Sequence, residues 1–292
     1  MMNRVTTMSI AQSSARNLQL AASQLARAQQ RATDFKAITK PSDDPAATAR
    51  AMQVRAEQRA NLQYARNIQD GNAWLSTIDS ALQSTTSLLG RARDLTLQGA
   101  NDGALSQTQK DAIAAELDAV RDLLLAQANS SYAGRQVFAG TSDQPAFDAS
   151  YAFSGGAGTV ERRVDAGTTV RVDVDGSSVF GVGADSVFAT IDRIAAGLRA
   201  GTPVGAELSA LDVHRSAVLD AHAAAGARHA TVLQSVDRNL AQKIDLEATR
   251  SRLEDIDVAT AAIELSTSEI AHQAALAATA RAVRPTLMDY LR

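Results

Sequence analysis

Cysteine is absent from the 292-residue chain, which excludes a disulfide framework, a thiolate metal site and a cysteine nucleophile. Aromatic residues are scarce at 4%, with one tryptophan, although apolar residues reach 45%. About a fifth of the chain is alanine, the best helix former and a residue that buries little area. That composition predicts long helices packed closely through small side chains, without a thick aromatic core. No apolar run approaches the ~20 residues of a membrane span. Charges nearly balance, 29 Lys+Arg against 32 Asp+Glu, for a formal net charge of −3; a general nucleic-acid binder would carry a basic excess. An apolar secretory core is missing before residue 30, so export from this N-terminus would need a route that leaves it uncleaved. Residues 1–40 lean basic through Arg4, Arg16, Arg27, Arg31, Lys36 and Lys40, which mimics a mitochondrial transit peptide. The heptad pattern running through them predicts instead that they belong to the folded chain.

What the chain does have is helical periodicity. Ala11, Ser14, Leu18, Ala21, Leu25, Ala28, Ala32 and Phe35 alternate steps of three and four, a narrow coiled-coil stripe. Lys40-Pro41-Ser42-Asp43-Asp44-Pro45 interrupts it, and Asp44 before Pro45 predicts an N-cap with proline at the first helical position. A second helix is predicted from about residue 45 to 99, its stripe stepping by seven through Val54, Asn61, Ile68, Leu75, Leu82 and Leu89. Asn101-Asp102-Gly103 predicts a turn, and Ser106 with Gln109 a capping box. The third helix is carried by Ile113, Leu117, Val120 and Leu124. Over 132–183 the texture changes to glycines and period-two valines at Val170, Val172 and Val174, a small β-rich insert. Helical pattern resumes near Asp185, breaks at 201–205, and runs on through Leu246, Thr249, Leu253, Ile256, Thr260, Ile263, Thr267, Ile270, Ala274 and Ala277. Pro285 ends it, ahead of an apolar tail of Leu287, Met288, Tyr290 and Leu291.

Two narrow terminal stripes need partners, and packing the first helix against the last satisfies both. At ~1.5 Å per residue they extend about 36 and 46 Å. The predicted fold is mainly α: a long antiparallel coiled-coil rod formed by the N- and C-terminal regions, with a small β-rich insert in the middle. Its expected domains are a terminal coiled-coil assembly domain (1–40 with 257–292), a helical rod domain (41–142 with 185–256) and the insert (143–184). The insert is expected to be dispensable for folding of the helices, because their flanks can pair without it. Leu18, Leu25, Ile256, Ile263, Ile270, Leu287 and Leu291 are the expected assembly contacts, with Ile263 and Ile270 supplying most of the apolar contact to the first helix or to a neighbouring subunit.

Signatures of chemistry are missing. Placing Gly176 at the glycine of a calcium loop puts Arg171 and Val182 at the two key carboxylate positions, so Asp175-Gly176 reads as a hairpin tip. Gly181-Val182-Gly183 has Ser186 where a dinucleotide loop needs its third glycine. His214, His222 and His229 stand eight and seven apart and His272 stands alone, whereas a shared metal needs helical neighbours three or four apart. No HExxH, GxSxG or GxxxxGK[ST] occurs. Neither a catalytic residue nor a cofactor is assigned.

In order and spacing the segments resemble a known superfamily. Pro41-Ser42-Asp43-Asp44-Pro45, the run from Arg66-Asn67-Ile68-Gln69 to Trp74-Leu75, and Ser251-Arg252-Leu253-Glu254-Asp255-Ile256-Asp257 are similar to segments of the flagellin and hook-associated proteins of bacterial flagella. Gln136-Val137-Phe138-Ala139-Gly140-Thr141, the Val179-Phe180-Gly181 ending and Met288-Asp289-Tyr290-Leu291 resemble the hook-associated branch that joins hook to filament. The likeness is weakest over 143–205. Many relatives carry glycine between the first two helices, where this chain reads Phe35-Lys36-Ala37-Ile38-Thr39.

The resemblance implies a non-enzymatic structural subunit of the hook–filament junction. Such subunits are exported unfolded without a cleaved signal peptide and are extracellular. They self-associate in a ring, with the first hook-associated protein and flagellin as axial neighbours and a flagellar export chaperone as a further partner. Nucleic acid and membrane insertion are not implied. Two rival expectations remain, a short filament flagellin and a coiled-coil adaptor that takes a partner helix in a groove.

Overall fold

A computed structural model describes residues 7–38, 40–101, 105–156 and 158–282. Seven α-helices are described, together with two two-stranded antiparallel sheets and a short 3-10 turn at Gly183–Asp185. The helices are α1 (Thr7–Asp34), α2 (Pro45–Gly99), α3 (Gln107–Ala128), α4 (Gly176–Phe180), α5 (Val187–Ala200), α6 (Glu207–Glu254) and α7 (Val258–Ala282). Strands β1 (Ser131–Tyr132) and β2 (Arg135–Gln136) form one hairpin, β3 (Glu161–Arg163) and β4 (Thr169–Arg171) the other. The mainly α fold with a small β-containing insert is as the sequence predicts. Two compact units are distinguished: residues 60–242, and residues 1–59 with 243–292.

Helix boundaries follow local chemistry. The Asp44 carboxylate accepts from the Ala47 amide at 2.9 Å, capping α2 ahead of Pro45, whose missing N–H costs nothing in a first turn. Ser106 and Gln109 form the reciprocal capping box at α3. Ser186 caps α5 through the Ala189 amide. The predicted turn residues Asp102 and Gly103 lie outside the described residues.

In the unit of residues 60–242, the seven-step stripe of α2 is buried throughout, from Ile68 to Leu89. It packs with Ile113, Leu117 and Leu124 of α3, with Phe188, Ile191 and Leu198 of α5, and with Leu211, Val218, Ala225 and Val232 of α6. Asn61, in the same stripe, is 2% exposed. Its Nδ2 donates to the Asn239 carbonyl and to Gln242 Oε1, each at 3.2 Å, while Asn239 Nδ2 donates to the Asn61 carbonyl at 3.0 Å. A buried amide pair of this kind fixes helix register, because any slip leaves polar groups unpaired in an apolar seam. Asn61→Ala is therefore expected to cost about 1–3 kcal/mol in denaturant titration, since Asn239 and Gln242 lose their buried partner.

The insert departs from the expectation in three ways. Asp175-Gly176 is not a hairpin tip: Asp175 caps α4, its Oδ1 accepting from the Ser177 amide at 3.0 Å, and the tip of the β3–β4 hairpin is at 164–168. The scarce aromatics are concentrated. Phe138, Phe147, Phe180 and Phe188 are buried and meet at centroid distances of 5.3–5.8 Å, so a low average hides an aromatic core. The insert also shares its core with the helices. Phe147, Val160, Val172 and Phe180 belong to the same buried cluster as Trp74 and Leu75 of α2, so the segment expected to be dispensable supplies part of the common core.

Polar contacts hold it there. Asp173, buried between Val172 and Val174, accepts from the Val160 amide at 2.8 Å and from the Arg171 guanidinium at 2.9 and 3.0 Å. The Arg228 guanidinium of α6 donates to its carbonyl at 2.8 Å. Gly140, with φ of +60°, closes the Phe-Ala-Gly turn; a Cβ there would come within 2.6–2.7 Å of the Gly156 and Gly158 carbonyls.

Candidate assembly surface

The second unit is built on the antiparallel pair of α1 and α7. Its inward α1 face is the predicted stripe: Ala21 and Ala28 are buried, with Ser14, Leu18, Leu25 and Ala32 half-buried. Phe35, at the stripe's end, is exposed. Most of these residues are small, so the two backbones come close and little apolar area is gained.

On α7 the facing residues are not the predicted ones. Ala261 is buried and Leu265, Ser268, His272, Ala275 and Thr279 are half-buried, again in steps of three and four. The expected stripe of Thr260, Ile263, Thr267, Ile270, Ala274 and Ala277 is exposed along its length. Ile263 is 67% and Ile270 64% exposed; at ~100° per residue they fall to the side of the buried seam of Ala261, Leu265 and Ser268. These two residues therefore lie outside the buried part of the α1–α7 seam, with most of their surface exposed. Beside them a groove of about 370 Å³ runs along the pair, lined by Arg27, Arg31, Ile263 and Glu264, with Arg31 Nη1 and Glu264 Oε2 3.3 Å apart.

A break accounts for the change of face. The sequence pattern carries straight through 253, 256 and 260, but α6 ends at Glu254 and α7 begins at Val258. Asp257 caps the new helix, its carboxylate accepting from the Ala259 amide at 3.3 Å and from the Thr260 hydroxyl at 3.1 Å. Interrupting the helix resets its phase, which turns the larger stripe outward. Ile256 is half-buried at the break. Leu287 and Leu291 lie outside the described residues.

At the break the chain returns against the connection between α1 and α2. Lys36 and Asp255 form an isolated antiparallel bridge. The Ala37 amide donates to the Glu254 carbonyl at 2.7 Å and the Ile256 amide to the Phe35 carbonyl at 3.1 Å. The Glu254 side chain, in a residue only 4% exposed, accepts from Arg55 Nε at 2.7 Å and from Lys36 Nζ at 3.3 Å; Lys36 also reaches Asp255 at 2.9 Å. The Arg55 hydrogen bond, then that of Lys36, holds the Glu254 carboxyl below the usual carboxylate range. Lys36 lowers Asp255 in the same way, and its own ammonium is raised, chiefly by the Asp255 hydrogen bond. No sequence signal marks this cluster, because Arg55 and Glu254 are 199 residues apart; of the residues at the break, only Asp257 carries a local signature, that of an N-cap.

The histidines take structural places. His214 lies by Thr190 Oγ1, His222 Nε2 is 2.7 Å from Asp79 and His229 Nε2 is 2.8 Å from Asn72, so all three face neighbouring helices from α6. Burial holds His214 below the usual imidazole range. Among the described residues no group of three or more His, Asp or Glu could hold a metal, and no helix is long and apolar enough to cross a membrane.

Terminal helices paired with each other, and a second helical unit that carries an inserted middle, define a class of subunit that folds its two ends together. Residues 5–143 match the bacterial flagellin N-terminal helical region and residues 208–291 the bacterial flagellin C-terminal helical region. The chain belongs to the bacterial flagellin family. The matches leave between them the stretch that carries most of the insert.

Among its relatives, flagellar hook-associated protein 3 of Salmonella typhimurium is 33% identical over 133 residues, 44% of this chain and 42% of that protein. The chain thus matches less than half the length of that relative. A flagellin of Halalkalibacterium halodurans is 24% identical over 267 residues, 91% of each chain. A solved structure of a Vibrio parahaemolyticus protein described as flagellar hook-associated superposes with a TM-score of 0.68 at 26% identity, covering 73% of this chain and all of that one.

Proposed function

We propose that this chain is a structural subunit of the bacterial flagellum that joins hook to filament, self-associating in a ring through the outward face of α7. The observation that carries the reading is the exposure of Ile263 and Ile270 on a helix whose opposite face is already packed. Two apolar seams on one helix imply two helical neighbours. One is α1 of the same chain, and a second copy supplies the other. Fully burying each isoleucine would contribute about 1.5–3 kcal/mol, which offsets the weak apolar gain of the small-residue α1–α7 seam.

The same arithmetic suits a chain exported unfolded through a narrow channel without a cleaved signal peptide, with a flagellar export chaperone covering the uncovered seams before assembly. In a ring the contact is head-to-tail and recurs at every interface. The first hook-associated protein and flagellin are the axial neighbours in this reading. The role is structural and not enzymatic, and the site is extracellular, at the distal end of the hook. Similarity to the hook-associated relatives supports it.

A second reading, a short filament flagellin, is favoured by the Halalkalibacterium relative, which matches along nearly its whole length. Immunogold labelling of intact flagella separates the two. One band at the hook tip is expected; label along the filament would replace the junction by the flagellin.

A further inference from the structure

We propose that residues 35–38 and 254–257 form a hinge between the α1–α7 pair and the adjoining ends of α2 and α6, latched shut by the Glu254 carboxylate. Both chain segments leave helical geometry at the same level, facing each other as a single β-bridge. Phe35 holds φ of +51°, a left-handed conformation that strains a bulky side chain. Phe35 is 52% exposed, so burial of its side chain is not what holds the strained turn.

Beneath the connection lies an open cavity of about 290 Å³, lined by Ile38, Lys40, Pro41, Thr48, Met52, Arg55 and Glu254. The buried Thr48 hydroxyl has no hydrogen-bond partner among the described residues. A joint with so little apolar filling depends on its polar contacts. Besides the two backbone hydrogen bonds and the Lys36–Asp255 pair, these converge on one buried carboxylate, met by Arg55 from α2 and Lys36 from the connection. Removing its charge leaves those cations without their buried partner, whereas the α1–α7 seam and the core of residues 60–242 keep all their contacts. Local opening of this kind has its own free energy, distinct from global unfolding.

The charged groups around the latch are Lys36, Lys40, Arg55, Arg250 and Asp255. Glu254 and Asp255 are both lowered, so their contribution is present above the ordinary carboxylate range and is lost as pH falls through their lowered values. Lys36 is raised, so its contribution is present below its ordinary value of 10.5 and is lost only as pH rises through the raised one. The hinge is therefore closed at neutral pH and opens in acid.

Amide exchange on the full chain, corrected for intrinsic rates, tests this. In the native sequence, protection at the Ala37 and Ile256 amides should fall on the order of tenfold as pH drops from 7 through the lowered values of the two carboxylates, the loss expected for charge-assisted hydrogen bonds. The amides of Leu117 and Leu124, whose side chains lie in the core of residues 60–242, report global opening and should hold their protection. Glu254→Gln keeps the shape without the charge; it should show lowered protection already at pH 7, and the change left on acidification is that of the Lys36–Asp255 pair. Glu269→Gln, on the exposed face of α7, should behave as the native chain. Native protection at Ala37 and Ile256 in Glu254→Gln would overturn the latch. Equal loss at Leu117 and Leu124 would overturn the hinge, since the whole fold would then be opening.

Discussion

Phe180→Ala is expected to destabilise the unit of residues 60–242 by about 3–5 kcal/mol, the cost of a large cavity in a packed aromatic core. Phe180 is fully buried and lies 5.4 Å from Phe138, 5.7 Å from Phe147 and 5.8 Å from Phe188, centroid to centroid. For a unit of this size the loss corresponds to a fall in Tm of roughly 10 °C. The single tryptophan reports it: Trp74 is 1% exposed, edge-on to Tyr132, with the Arg135 and Arg162 guanidinia 5.7 and 5.5 Å from its ring. Its emission should shift to the red at the lower temperature, together with the loss of helical circular dichroism. Excising 143–184 should abolish the cooperative transition altogether, since its buried side chains, Phe147, Val160, Val172 and Phe180 among them, fill the common core. An unchanged transition in either variant would restore the separable insert that the sequence suggested.

Ile270→Asp is expected to abolish swimming while leaving the isolated subunit folded. Ile270 is 64% exposed, so in the monomer the change should fall within about ±0.5 kcal/mol, as surface substitutions do. In an assembled ring the same aspartate would be buried against apolar surface, at a cost of several kcal/mol unless it neutralises. The defect recurs at each interface. Cells carrying it should build hooks, release unpolymerised flagellin into the medium and fail to swim, whereas Ile270→Leu, which keeps the apolar surface, should swim. Normal motility with Ile270→Asp would show that this face of α7 remains uncovered.

Long elements with one strong period were legible in the sequence, and elements shaped by distant partners were not. The stripe of α2, the capping box of α3, the Asp44 cap and the inward face of α1 need only local spacing, and each stands where the sequence put it. α7 carries two seams of equal period. Periodicity favours the one with the larger residues, Ile263 and Ile270, but the close α1 pairing takes the smaller one, of Ala261, Ser268 and Ala275. Nothing in the period marks the break at 255–257, which is imposed by Lys36 and Phe35 from the other end of the chain. The aromatic cluster was hidden in the same way: Phe138, Phe147, Phe180 and Phe188 are scattered over 51 positions and converge only through tertiary packing.

The outward seam of α7 can be tested by its own chemistry, because a chain without cysteine gives Ile270→Cys a single thiol. Maleimide labelling rates are compared between the purified monomer and intact flagella, with Gln69→Cys on the exposed face of α2 as the reference. Cys at 270 should label rapidly in the monomer and about tenfold or more slowly in the assembly, the protection expected when an isoleucine-sized surface is buried. Equal rates at position 270 in monomer and flagella would contradict the account.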